Sequence, residues 1–332
     1  MSPVRAVVTG GCGFVGSHLV ERLVERGDEV TVFDTGPMPS DLPHAVRDQV
    51  RPVVGDIRDA AAVRSAVRPG TDVVFHLAAV VGVDQYLARP LDVIDINLTG
   101  TRHVLEAAAR AGARPVVAST SEVFGKNPSV PWPEDGDRVL GPTTADRWTY
   151  SSSKALAEHM TFAFSRAHGL GATVVRYFNV YGARQRPAYV ISRSVHRVLN
   201  GLPPLVYDGG RQTRAFTHVS DCVEGTVMAA ESRRSADQAF NIGSMQETTV
   251  GEAVRLVVDL AGAGVRAVPV DTGDQLGPAY EDLRRRVPDT RKAREVLGWT
   301  CRTALRDGLR QTVDWARGRP EYLALPDSGA GG

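Results

Sequence analysis

The sequence predicts an α/β protein built on a doubly wound parallel sheet, with a smaller C-terminal α/β region interleaved with it. Three observations carry that expectation. Short β-branched runs alternate with longer amphipathic runs over residues 1–180, a glycine-rich turn joins the first such pair, and the rhythm breaks past Tyr181. Val4 to Thr9 is apolar on both faces, as a buried parallel strand is, and Phe14 to Arg26 spaces its apolar residues for a helix. Glu29 to Asp34 and Pro52 to Gly55 follow as strands, Asp59 to Val67 as a helix and Asp72 to Leu77 as a fourth strand. A long helix is expected over Leu91 to Ala111, a strand over Arg114 to Ser119, a helix over Ser151 to His168 and a strand over Ala172 to Phe178. Lys126 to Arg147 holds several prolines and few apolar residues, the composition of a loop over a site. Beyond Tyr181, shorter elements are punctuated by Gly201-Leu202-Pro203-Pro204, Asp208-Gly209-Gly210 and Gly273 to Pro278. Residues 1–180 are therefore expected to form the main lobe. Residues 181–326 should form the smaller one, with some segments returning to the sheet, and 327–332 a disordered tail.

The 332 residues include 39 Lys+Arg against 38 Asp+Glu, a net charge of +1, with 42% hydrophobic residues. That composition is globular and provides no overall field for nucleic acid, so a polyanion partner is not expected. No apolar stretch approaches the ~20 residues of a membrane span, and no signal-peptide pattern opens the chain. Cys12, Cys222 and Cys301 lack metal-ligand or disulfide-framework spacing and read as reduced thiols. A cytoplasmic location is the expectation. Lys126, Lys154 and Lys292 are the only lysines, which makes each worth examining.

Val4 to Thr9 runs into Gly10-Gly11-Cys12-Gly13-Phe14-Val15-Gly16, a glycine pattern after a strand and at the start of a helix. Lacking Cβ atoms, such glycines let the backbone approach a pyrophosphate and let the helix pack against the strand, while the helix N-terminus offers N–H groups to phosphate. Asp34, at the end of the second strand, would accept hydrogen bonds from a ribose diol and repel a 2′-phosphate, favouring NAD over NADP. Asp56 is placed to meet an adenine amine, with Ile57 beside it, or to cap the next helix. Together these features predict a Rossmann-type nucleotide site at Gly10, Gly13, Phe14, Val15, Gly16, Asp34, Asp56 and Ile57.

Tyr150-Ser151-Ser152-Ser153-Lys154 places a phenol and an ammonium one helical turn apart. A close ammonium and a bound nicotinamide cation would draw the phenol below its ordinary pKa of about 10. The tyrosine could then take a proton from a sugar hydroxyl as hydride leaves the same carbon. His76 and His218 lie in apolar strand contexts that explain them without a catalytic role.

Several runs now join the glycine turn and the Tyr/Lys pair: His76-Leu77-Ala78-Ala79, Asn97-Leu98-Thr99-Gly100-Thr101, Ser119-Thr120-Ser121-Glu122-Val123-Phe124-Gly125 and Arg176-Tyr177-Phe178-Asn179-Val180-Tyr181-Gly182. Over nearly its whole length the chain resembles the extended short-chain dehydrogenase/reductases that modify nucleotide sugars. The resemblance implies that Thr120, Tyr150 and Lys154 are catalytic. It places Leu77, Ala78, Ala79 and Asn97 at the cofactor with Tyr150 and Lys154. It places Val81, Ser121, Glu122, Asn179, Arg186, Arg214 and Arg286 at the substrate, the last of these groups including the diphosphate contacts. Arg211, Arg284 and Arg285 read as solvated surface. A homodimer is also implied, and the stripe Leu156, Met160, Phe164 suits either such pairing or the sheet.

The resemblance leaves the reaction to be chosen. Dehydratases of this kind carry Asp-Glu after the threonine, whereas Thr120 is followed by Ser121-Glu122, which disfavours dehydration. Ala79 to Val83 and Tyr181 to Pro187 are similar to UDP-glucuronate 4-epimerases, although Ala188-Tyr189 replaces their usual Asp-Met. C4 epimerisation of UDP-glucuronate is the leading expectation. A UDP-glucuronate decarboxylase forming UDP-xylose shares the Thr-Ser-Glu run and Gln212-Thr213-Arg214-Ala215-Phe216, and UDP-glucose 4-epimerase is a further alternative. A simple oxidoreductase and an NAD(P)-sensing regulator remain as rivals, the second disfavoured by the intact Tyr/Lys pair. In the epimerase reading, Arg186 would grip the substrate carboxylate and slow loss of carbon dioxide.

Overall fold

The computed structural model describes residues 3–327 apart from Val83, Asp84, Tyr86, Leu87 and 272–282. The expected Gly273 to Pro278 turn and residues 328–332 of the expected tail thus lie outside the described residues. Asp327 itself is held by ion pairs to Arg197 and, at 3.8 Å, to Arg193.

The first six strands are β1 (Arg5–Thr9), β2 (Glu29–Asp34), β3 (Val50–Val54), β4 (Val73–His76), β5 (Arg114–Thr120) and β6 (Thr173–Tyr177). Short strands β7 (Val180–Tyr181), β8 (Leu205–Tyr207), β9 (Thr213–Ala215) and β10 (Thr217–His218) precede β11 (Gln238–Ile242), β12 (Glu247–Thr249) and β13 (Val268–Val270). β11 joins the first six in one sheet of order β11-β6-β5-β4-β1-β2-β3, every pairing parallel. The order reverses between β1 and β4, which opens a crevice at their carboxyl ends, where a Rossmann-type sheet takes its ligand. The other short strands form three two-stranded ribbons, β10 with β7, β12 with β9 and β13 with β8.

The helices are α1 (Phe14–Glu25), α2 (His44–Arg47), α3 (Ala60–Ala66), α4 (Pro90–Asp95), α5 (Thr101–Ala111), α6 (Thr149–His168), α7 (Val190–Leu199), α8 (Val219–Glu231), α9 (Val250–Ala261), α10 (Leu305–Arg317) and α11 (Pro320–Leu323). On one face of the sheet, Leu19, Val20 and Leu23 of α1 and Val223 and Val227 of α8 pack against Ala6, Val8 and Phe75. On the other, Val63 of α3 and Val104 and Ala108 of α5 cover Val7, Phe33 and Val74. A separate core under Tyr181, Val195, Val254 and Val313 holds the C-terminal lobe together.

Two expectations are corrected, and one short helix was not expected. The long helix over Leu91 to Ala111 is interrupted by a π-helical turn at Ile96–Gly100, a widening that recurs at functional sites. The segment Lys126 to Arg147 is more than a surface loop: Trp132 is fully buried, stacked on Phe124 at 5.0 Å between ring centroids, and bridges to Pro288. The short α2 was not foreseen, since four residues are too few to show a helical period. On α6, Leu156 is 51% exposed, so the stripe it begins points away from the sheet.

Candidate active site

The glycine turn is shaped by steric need. Gly10 has φ 72°, and a Cβ there would stand 2.6 Å from the amide nitrogen of Ala78. A Cβ on Gly16 would fall 2.0 Å from the carbonyl oxygen of Gly10, so α1 can begin this close to the turn only with glycine at that position. Gly13 is the N-cap of α1, where Phe14 meets His18 edge-on and Val15 packs against the core. Asp34 reaches this turn: its Oδ2 accepts from the Cys12 N–H at 2.9 Å and its Oδ1 from the Gly36 N–H at 3.2 Å. A backbone cradle closed to any Cβ, with a carboxylate at the tip of β2, fits the dinucleotide that the sequence implies.

Asp56 and Ile57 follow β3. Asp56 pairs with Arg58 at 2.7 Å, a bond that holds its carboxyl below the usual range, while the helix cap is Asp59, which accepts from the amides of Ala61 and Ala62. The capping role weighed for Asp56 thus belongs to Asp59. Ile57 is buried against Gly100, where a Cβ would come within 2.3 Å of it. Leu77 and Ala78 leave β4 along Thr9, the Leu77 N–H donating to its carbonyl at 3.0 Å and the Ala78 N–H to its hydroxyl at 3.4 Å. Ala79 continues to Val80, whose N–H donates to Asn97 Oδ1 at 3.2 Å.

Asn97 also donates to Ser153 Oγ at 3.0 Å, and Ser153 donates to the Tyr150 carbonyl at 2.9 Å. Fully buried in the π-helical turn, Asn97 thereby braces the start of α6 against the strand that precedes Val80. Thr120 ends β5, and its hydroxyl accepts from the Glu122 N–H at 3.2 Å and is hydrogen-bonded to the Tyr150 phenol. Tyr150, Lys154 and Thr120 are all buried at the carboxyl end of the sheet.

The electrostatics correct one expectation. Burial, then Glu122 and Tyr189, push the Tyr150 phenol above its ordinary value, and Thr120 and Arg286 oppose them only in part. Lys154 is itself pushed down to about 8 by burial, with Glu158 drawing it back up. In the protein alone, then, desolvation outweighs the Thr120 hydrogen bond and the Arg286 cation that favour the phenolate. His76 is pushed down to about 3, first by burial and then by Lys154, and its ring nitrogens lie 2.8 Å from Thr9 Oγ1 and 3.0 Å from Thr101 Oγ1. It is a satisfied core histidine. His218 caps α8 through its side chain.

Glu122 organises the other wall. Its carboxylate lies 2.7 Å from Arg147 Nη1 and 2.8 Å from Arg286 Nη1, with the Ser151 hydroxyl donating at 3.4 Å. Burial acts to raise this carboxyl, but Arg286 and Arg147 outweigh it and hold it at about 2. Ser121 is buried beside it. Arg286 is thus committed to Glu122 in addition to any diphosphate. Arg214, expected at the diphosphate, is buried and donates to the carbonyls of Thr213 at 2.7 Å and Leu283 at 2.8 Å, tying β9 to the segment that carries Arg286. Asn179 has φ 41° and donates to the Ala215 carbonyl at 3.5 Å. Arg186 donates to the Val81 carbonyl at 3.1 Å and lies over the Tyr189 ring at 5.7 Å, while the Tyr189 hydroxyl also reaches that carbonyl, at 3.4 Å. Arg285 pairs with Glu247 on the surface, as its sequence context suggests.

Sequence reasoning missed Arg147, which is fully buried and stacked at 5.0 Å on Trp148, because it falls at the end of a segment with loop composition. It also missed Tyr189, noticed only as a departure from a family pattern. A third omission is Glu158, buried one turn beyond Lys154, where Arg176 grips both its oxygens at 2.9 and 2.7 Å. The four-residue spacing from Tyr150 to Lys154 to Glu158 was the available signal.

Comparison with known proteins identifies the family. Residues 6–243 match the model of the NAD dependent epimerase/dehydratase family. The chain is 36% identical over 317 residues to the UDP-N-acetyl-alpha-D-glucosaminuronate decarboxylase of Bacillus cytotoxicus, covering 94% of this chain and 98% of that one. It is 34% identical to UDP-glucuronic acid decarboxylase 1 of Xenopus tropicalis, over 96% of this chain and 74% of that one. Among solved structures, UDP-glucose 4-epimerase of Thermotoga maritima with UDP-glucose superposes with a TM-score of 0.84 at 30% identity, covering 94% of this chain and 98% of that one. MoeE5 in complex with UDP-glucuronic acid and NAD superposes at 0.82 and 33%, covering 94% and 99%. With a Rossmann-type sheet, a glycine cradle and a Tyr/Lys pair at its crevice, the chain belongs to the NAD-dependent epimerase/dehydratase family of nucleotide-sugar enzymes.

Proposed function

We propose that the chain is a UDP-uronate decarboxylase, which oxidises carbon 4 of the sugar, releases carbon dioxide from the 4-keto acid and reduces the resulting 4-keto pentose. The observation that carries this reading is Glu122, ionised between Arg147 and Arg286 in the wall beside Tyr150. Held by the glycine cradle of residues 10–16 and by Asp34, NAD would supply the hydride acceptor for carbon 4 and the donor for the closing reduction. Tyr150 takes the proton from the 4-hydroxyl, with Thr120 holding the same oxygen, and Lys154 supports the phenolate. The 4-keto uronate is a β-keto acid: the bond from carbon 5 to the carboxylate breaks, its electron pair passes into the enolate on the carbon 4 oxygen, and carbon 5 then takes a proton. Retaining the carboxylate would require a cation that stabilises the ground state more than the charge-dispersed transition state. Here Arg286 is bonded to Glu122 and Arg186 to the Val81 carbonyl, so both cations already have partners in the protein and neither is held in reserve to clamp a substrate carboxylate, which favours its departure. The Thr-Ser-Glu run and the curated decarboxylases at 34–36% identity support the same outcome.

Epimerisation at carbon 4 is the second reading, favoured by the Tyr181 to Pro187 run and by the likeness to MoeE5 with UDP-glucuronic acid. The purified enzyme with NAD is given UDP-glucuronate and, separately, UDP-N-acetylglucosaminuronate, and products are identified by NMR with carbon dioxide measured. A UDP-pentose or its 2-acetamido counterpart, with one carbon dioxide per turnover, is expected; a uronate retaining its carboxylate and inverted at carbon 4 would overturn the proposal. Arg186→Ala separates the two further, because only in an epimerase does it create carbon dioxide release that the parent enzyme lacks.

A further inference from the structure

Away from the reacting carbon, two distant segments meet at Asp41 and a third is tied to it through Arg184. This residue lies on the stretch that leaves Asp34, and its side chain is only 10% exposed. Its Oδ2 accepts from the indole N–H of Trp315 at 3.0 Å and from Arg184 Nε at 3.3 Å, with Arg319 Nε at 4.0 Å. A second arm of Arg184 reaches Glu21 Oε2 on α1 at 2.8 Å, and His18 of the same helix meets the Ala183 carbonyl through Nε2 at 2.9 Å. Arg184 keeps a left-handed backbone, φ 66°, which an arginine adopts only when its surroundings hold it there.

The identities of these segments give the cluster a direction. α1 starts on the glycine cradle, and the stretch carrying Asp41 starts where the Gly36 N–H binds the ribose-side carboxylate of Asp34. Both border the dinucleotide crevice. Trp315 and Arg319 belong to the C-terminal lobe, and Arg184 stands two residues before Arg186, which touches Val81 on the sugar side. The same stretch is pinned beneath by buried Leu42 and by Met38, 3.6 Å from Cys12 in the cradle. We propose that Asp41, Arg184 and Trp315 form a clasp by which the C-terminal lobe fastens the post-Asp34 stretch onto α1 and so slows the release of NAD. They are positioning residues and touch no reacting atom. A cofactor that is oxidised and reduced within one cycle has to outlast many substrates, and a buried ionic clasp bridging both lobes provides that retention. The proposal goes beyond the choice between decarboxylation and epimerisation and holds for either.

The test uses holoenzyme loaded with NADH, diluted into excess NAD, with the loss of bound NADH fluorescence giving the dissociation rate. Losing one buried charged hydrogen bond should accelerate release roughly tenfold in Asp41→Asn and in Trp315→Phe. Arg184→Lys, which keeps a cation toward Glu21, should fall between those variants and the parent. The melting temperature of the NAD-free protein is measured in parallel. If Asp41→Asn and Trp315→Phe lower that melting temperature but release NADH within twofold of the parent rate, the cluster is a structural tie and the proposal is wrong. Should Asp41→Asn fail to fold, Trp315→Phe, which keeps an aromatic ring against Tyr322, decides alone.

Discussion

The dinucleotide side of the crevice is shaped by backbone, whereas the opposite wall is assembled from charged side chains brought from far apart. At the cradle, the chain at Gly10 and Gly16 comes so close to its neighbours that a methyl group has no room, and the carboxylate of Asp34 follows one strand later. Across from it, Glu122, Arg147, Tyr150, Arg186, Tyr189 and Arg286 arrive on four separate stretches and are held by ion pairs and hydrogen bonds. Local chain geometry can be copied unchanged among enzymes that share a cofactor. A network of side chains can be re-drawn by a few substitutions, which is how one fold comes to host several outcomes at the sugar.

The contrast can be broken most sharply at Tyr150. Tyr150→Phe removes the proton carrier and leaves the cradle intact, so turnover should fall by about 10²–10⁴-fold while NAD content stays at the parent level; activity within tenfold of the parent refutes the assignment. Gly16→Ala is the converse. Its Cβ meets a backbone oxygen that has nowhere to go, so isothermal titration should show NAD binding lost or weakened by at least tenfold.

On the ionic wall, Glu122→Gln should keep NAD affinity but cost about 3 kcal/mol of stability, because two buried guanidinium groups lose their counter-charge. Glu122 is held at about 2, below the carboxyl range of an unfolded chain. Its stabilisation is therefore complete above roughly pH 4.3 and disappears as pH falls toward 2. Denaturant melts at stepped pH should show that acid loss in the parent and a flatter limb in Glu122→Gln.

The smallest effect concerns Lys154. Glu158 on its own helix and His76 from β4 are the titratable groups acting with it, and Arg176 from β6 fixes Glu158. Activity that needs the ammonium should decline as pH rises through about 8. In Glu158→Gln the upward pull is gone, and the midpoint of that decline should move lower by up to about one unit. An unmoved midpoint in a folded variant would show Glu158 to be purely structural.

The same contrast explains what could be read before the structure was known. The first six sheet strands, the glycine turn, Asp34 and the Tyr/Lys pair are local patterns with fixed spacing, and the structure places those strands within a residue or two of their expected bounds, whereas β11 was foreseen only as some later segment returning to the sheet. Arg147 and Tyr189 have no such pattern, since the hydrogen bonds that place them in the wall, to Glu122 and to Val81, span 25 or more residues and only folding reveals them. The tyrosine's electrostatics were misjudged for a related reason. Spacing showed the nearby Lys154 but not the burial that raises the phenol. Arg214 fits its family position, yet its bonds to two carbonyls are a matter of tertiary packing.

The widened turn at Ile96–Gly100 has a consequence for anyone who would stabilise this enzyme. Shortening it by one residue would restore unbroken α-helical hydrogen bonding from Pro90 to Ala111, a gain in local regularity. It would also rotate every residue upstream by about a third of a turn and swing Asn97 away from Val80 and Ser153. A more heat-resistant and less active protein is the expected product of that deletion, an exchange of rigidity for competence confined to a single helical turn.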